Sequence, residues 1–144
     1  MSCSPDSPRR SRILPCVLWI VGTITPGLHA DLDYPDFLDM TGLTMVGSTT
    51  QFGDRVRLTP ASTGLVGAVY TTDQIVVGDG FDTTFTYEIN PATGGADGMV
   101  FILQNESPTS LYSNGGPLGY DSMINCVVVE IDTYVNGNFN DPPG

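Results

Sequence analysis

Three successive valines, Val127, Val128 and Val129, run straight into two acids spaced two residues apart, Glu130 and Asp132. A β-branched run favours a strand. In a strand, residues i and i+2 share a face and lie about 6.6 Å apart. The two carboxylates therefore point the same way, and Tyr134 and Asn136 continue that face if the strand runs on. Val127, Val129 and Ile131 take the opposite face, where a core would hold them. After Asn136 the chain becomes Asn- and Gly-rich and must turn, so Asp141 can swing back toward the strand. An isolated E-x-D at a strand end is usually just a strand running into a polar loop. Here further Asn and Asp oxygens crowd a turn-forming segment, and such a gathering suits a hard divalent cation.

The remainder of the chain also reads as β. Residues 43–46, 55–59 and 67–71 form short β-prone runs ended by Gly-Ser, by Pro60 or by polar residues. Residues 32–37 open the pattern, with Pro35 restricting them to an edge strand. Residues 81–89 show the clearest alternation: Phe81, Thr83, Phe85, Tyr87 and Ile89 on one face, Asp82, Thr84, Thr86 and Glu88 on the other. Residues 99–103 are continuously apolar, which predicts a strand covered on both sides. No stretch carries helical periodicity. Seventeen glycines and eleven prolines supply turns, and the acids are mostly Asp (13, against 3 Glu), which favours loops over helices. Short strands with frequent turn signals predict an all-β sandwich or barrel.

Charge narrows the partners. The formal net charge is −11, there is no lysine, and three of the five arginines fall in the first twelve residues. Such a surface excludes nucleic acid, where affinity rests on Lys and Arg neutralising phosphates. Those early arginines precede an apolar run at residues 13–24, too short to span a bilayer, and then a more polar end. Residues 1–30 therefore read as a secretory signal, leaving a domain at 31–144 that is extracellular, periplasmic or held at the cell surface. Cys3, Cys16 and His29, the single histidine, would leave with the leader. The mature chain then has no imidazole, and Cys126 alone is predicted to be a small buried apolar residue.

Two further loops stand out, Gly95-Ala96-Asp97-Gly98 and Gly115-Gly116-Pro117-Leu118-Gly119. In both, glycine lets the backbone bend and approach a ligand closely. Glu130-Ile-Asp132-Thr-Tyr134-Val-Asn136, followed by Asn140-Asp141-Pro142-Pro143, closely resembles the metal loop of legume-type (L-type) lectins. The stretches LTMVGSTTQFGDRVRLTP, FDTTFTYEI and GGADGMVFILQ, in that order, are similar to the amino-terminal half of such a domain. The resemblance implies a concanavalin-like jelly-roll β-sandwich, truncated, that binds carbohydrate in a calcium-dependent way without catalysis. It implies that Glu130 holds Mn2+, and that Asp132 and Asp141 bridge Mn2+ and Ca2+. It gives the Tyr134 carbonyl to Ca2+ and its ring to the sugar, and gives Asn136 to both Ca2+ and sugar. Asp97 becomes the main sugar acceptor, after a cis Ala96–Asp97 peptide, and Gly116 donates a backbone N–H. The family histidine that follows these acids has no counterpart before Gly144, so the manganese site is expected to be less complete than the calcium site. The expected partner is a carbohydrate or glycoconjugate, and a homo-oligomer would supply avidity for a shallow, weak site.

Two other classes fit parts of the pattern. Glu130-Ile-Asp132 also resembles the core of a β-sandwich glycoside hydrolase family. Those enzymes need a second glutamate four or five residues on, because retaining hydrolysis uses two carboxyl groups about 5–5.5 Å apart. Tyr134 and Val135 stand there instead. A calcium-stabilised adhesive module without sugar binding is the other. Its closest loop type, the EF-hand, is excluded, because the third and twelfth loop positions are Tyr134 and Pro143 where acids are required.

Overall fold

The structure is a computed structural model that describes residues 31–78, 80–90 and 96–137. Among these residues every regular element is a strand: β1 (Leu43–Gly47), β2 (Thr50–Phe52), β3 (Arg55–Arg57), β4 (Gly67–Thr71), β5 (Gly98–Gln104) and β6 (Cys126–Asp132). The protein is all-β, built from small antiparallel sheets. β1 pairs with β4 from Leu43↔Thr71 to Gly47↔Gly67. β2 and β3 form a tight hairpin across Gly53-Asp54, with Gly53 at φ 63° and the Arg57 guanidinium 3.4 Å over the Phe52 ring. β5 pairs with β6 along its whole length, from Gly98↔Asp132 to Gln104↔Cys126.

That last ladder positions the site. It sets Glu130 opposite Val100 and Asp132 opposite Gly98, so the carboxylates emerge beside the start of β5. Gly98 must be glycine for packing reasons, since an added Cβ would sit 2.5 Å from the Ile131 carbonyl oxygen. The other face of the ladder is apolar, with Phe101 half-buried between Phe81 and Phe85 at centroid distances of 6.5 and 5.5 Å. Across the register from Phe101, Val129 is 58% exposed, and its neighbour Val127 is 68% exposed. The core position expected of these two valines is therefore corrected: both are exposed, while the Phe81 and Phe85 rings stack on Phe101 of β5.

Three strand expectations also change. Residues 81–89 make no ladder despite their alternation; Phe81 and Phe85 reach Phe101 through their rings. Residues 32–37 form bends, where the Asp36 carboxylate accepts the Leu38 N–H at 3.1 Å and Tyr34 stacks on Phe37. β6 ends at Asp132, so Tyr134 and Asn136 lie in a loop and not on a continued strand face. Cys126 is a free thiol and only half-buried. No helix of the described residues is long and apolar enough to cross a membrane. The leader at residues 1–30 and Asp141 lie outside the described residues.

Candidate functional site

Three loops meet at one end of the β5–β6 ladder. The first carries Asp97 at the entry to β5, and the Ala96–Asp97 peptide is cis, the geometry implied by the sequence resemblance. The second follows β6. Here Thr133 directs both its backbone N–H (2.9 Å) and its hydroxyl (3.0 Å) onto the Asp97 carbonyl. Three residues on, the Asn136 amide donates to the Asp97 carboxylate at 3.1 Å. The third is the long connection between β5 and β6. Its tip places Gly115 so close that an added Cβ would lie 3.6 Å from Asp97 Oδ2.

Asp97 and Asn136 thus come together, with Gly115 of the glycine turn beside Asp97. Gly115 and Gly119 sit at φ 78° and 82°, and Leu118 between them at φ 51°, an uncommon backbone for a side-chain-bearing residue. The turn is fixed internally. Leu118 N–H donates to the Gly115 carbonyl (2.8 Å), Gly119 N–H to Ser113 (2.9 Å) and Tyr112 N–H to Gly119 (3.0 Å). Outside it, Ser113 donates its N–H and hydroxyl to the Asp121 carboxylate at 3.1 and 3.3 Å, and the Asn114 amide donates to the Gly64 carbonyl at 2.8 Å.

Beside this junction lies a cleft of about 360 Å³, lined by Gly116, Pro117, Leu118, Tyr120, Asp121, Glu130 and Asp132. Glu130 accepts a hydrogen bond from the Tyr120 hydroxyl. That bond to a carboxylate pushes the Tyr120 phenol up to about 12, with burial and the Glu130 charge adding to it. The Asp132 carboxylate accepts the Tyr134 N–H at 2.9 Å, turning the chain sharply after β6. Tyr134 is 53% exposed, and its carbonyl receives the Asn136 amide at 3.4 Å. The ion pairs of the described residues lie elsewhere, at Arg55 with Asp54 and Glu88.

Among the described residues no three His, Cys, Asp or Glu side chains assemble into a metal group. Glu130 and Asp132 share a cleft, while Asp141, which the resemblance makes the bridging acid, falls outside the described part. The donors around the cleft are oxygen only, a set whose chemistry fits a hard divalent cation.

Four residues that sequence reasoning passed over contribute here. Thr133 sits between two expected ligands, and its signal was a β-branched hydroxyl immediately after the acid pair. Tyr120 and Asp121 follow the Leu118-Gly119 pair directly, so their proximity to the glycine turn was readable. Glu106 closes the long loop at its base, across eighteen residues of sequence, and no local pattern announces that contact. No known family model matches the chain.

Proposed function

We propose that this protein is a carbohydrate-binding module of the L-type lectin kind, with a jelly-roll β-sandwich of the concanavalin type and no catalytic role. In this reading Ca2+ is held by Asp132, Asn136, the Tyr134 carbonyl and Asp141. Mn2+ is held by Glu130 together with Asp132 and Asp141. The sugar lies between Asp97, Asn136 and the Gly116 amide, with the Tyr134 ring against its apolar face. The chain is secreted, after removal of residues 1–30.

The observation that carries this reading is the meeting of Asp97 with Asn136 beside the Gly115–Gly116 turn. A carboxylate, an amide and a bare backbone turn, drawn from three loops, bring acceptors and donors together at one place. Acceptors alone would not discriminate a polyol from water. The combination suits a polyol better, because a carboxylate can take two hydroxyl donors while a bare backbone N–H donates to a hydroxyl oxygen. The exposed Tyr134 ring adds an apolar surface next to this polar set.

The test is a glycan array probed with the protein in calcium buffer, alongside Asp97→Ala. The account expects a small set of glycans to be bound, and Asp97→Ala to bind none of them. An array on which neither protein binds any glycan would leave the adhesive-module reading in its place, and equal binding by both would refute the role of Asp97.

A further inference from the structure

The long connection between β5 and β6 is closed at its base by one carboxylate. Glu106 Oε1 accepts the Ile124 N–H at 2.7 Å, and Oε2 accepts the Tyr112 hydroxyl at 2.8 Å. The first bond ties the outgoing leg of the loop to the returning leg, next to the Asn105 N–H to Asn125 carbonyl bond at 3.0 Å. The second holds Tyr112, whose own N–H bonds Gly119 and so sets the far side of the glycine turn. Gln104 in turn fixes Glu106: its amide oxygen accepts the Glu106 N–H at 2.6 Å and the Ser107 N–H at 3.1 Å. A continuous run of bonds therefore leads from the loop base, through Tyr112 and Gly119, to the turn that abuts Asp97.

We propose that Glu106 is a positioning residue that holds the Gly115–Gly116 turn against Asp97, and so sets the sugar affinity without touching sugar or metal. The proposal rests on the lectin reading only where it assigns Gly116 to the sugar; the clasp itself is independent of any ligand. Connections this long are uncommon in compact domains and commonly carry function. Here Asp121 and Asn114 bond near the tip, while Glu106 ties the base and acts on the tip from a distance through Tyr112.

Three variants test it: Glu106→Ala, Glu106→Gln and Tyr112→Phe. Hydrogen exchange at the Leu118 and Gly119 amides reports the turn directly. Glu106→Ala is expected to raise exchange there about tenfold, with the β5–β6 ladder amides unchanged. Glu106→Gln restores most of the protection, since its amide oxygen accepts Ile124 N–H and its NH2 donates to the Tyr112 oxygen. Tyr112→Phe falls between them, and carries the test if Glu106→Ala does not fold. On mannose- and galactose-coupled agarose, retention of Glu106→Ala drops while calorimetric calcium affinity stays at the wild-type value.

Unchanged exchange at Leu118 and Gly119 in both Glu106→Ala and Tyr112→Phe would overturn the proposal. So would exchange rising equally along β5 and β6, or calcium affinity falling in step with retention. Wild-type protein that is retained on neither resin and binds no glycan of the array refutes the lectin reading instead, and the exchange comparison then decides the clasp alone.

Discussion

Replacing Thr133 by valine keeps the shape and β-branching of the side chain and deletes one hydroxyl. That hydroxyl is one of two donors from the same residue onto the Asp97 carbonyl, at 3.0 Å beside the 2.9 Å backbone bond. The carbonyl keeps its backbone partner, so no acceptor is stranded and the full cost of an unsatisfied group does not arise. A typical net contribution is about 0.5–1.5 kcal/mol, and this bond is exposed to solvent, which places it in the lower half of that range. About 0.5–1 kcal/mol corresponds to roughly a two- to fivefold loss of affinity if Asp97 is the sugar acceptor. The assay is calorimetric titration of the best array glycan into wild type, Thr133→Val and Thr133→Ser in saturating calcium. Serine retains the hydroxyl and is expected to bind within about twofold of wild type. Valine binding as tightly as wild type, or serine binding as weakly as valine, would refute the argument that this hydroxyl steadies Asp97.

Other consequences follow from the same geometry. Gly119→Ala forces a side chain onto φ 82° and brings Cβ to 2.9 Å from Val66 Cγ2, so melting should shift down by the equivalent of at least about 1–2 kcal/mol. Phe101→Ala removes the ring on which Phe81 and Phe85 stack; for a half-buried Phe a loss of about 2 kcal/mol in chemical denaturation is expected, below the fully buried range. The bonds from Ile124 N–H and then Tyr112 hold the Glu106 carboxyl below its ordinary value of 4.5. Its clasp therefore contributes fully above that value and is lost as pH falls through the lower, folded one. Tyr112 and Tyr70 also face this carboxylate and stay neutral throughout, and the Asp121 carboxylate lies near Tyr112. The difference in acid-induced Gly119 exchange between wild type and Glu106→Gln, measured from pH 6 down to about 3, isolates the Glu106 part; no difference contradicts it.

The sequence made some of this legible and hid the rest for physical reasons. β4, β5 and β6 were readable because β-branched and apolar runs there end at Gly or polar residues. The 81–89 alternation was real as amphipathicity, yet period two reports only which side chains share a face. It does not report whether a neighbouring backbone is present to complete a ladder. β2 was missed because three residues, Thr50 to Phe52, are too few to show a period. Its signal was the Gly53-Asp54 pair, a two-residue hairpin loop with glycine first. At the site, Asp97, Gly116, Glu130, Asp132 and Asn136 came from local motifs, and Asp97 and Asn136 do meet in space. Thr133 and Glu106 act through bonds across thirty-six and eighteen residues, and separations of that size leave no imprint on a local pattern.

Calcium dependence of sugar binding is the claim on which the site stands. Titrating a glycan selected from the array into the protein in the calorimeter, first with calcium, then with chelator, then with calcium restored, measures it directly. The account predicts heat of binding that vanishes in chelator and returns with the cation. Undiminished binding in chelator would contradict it.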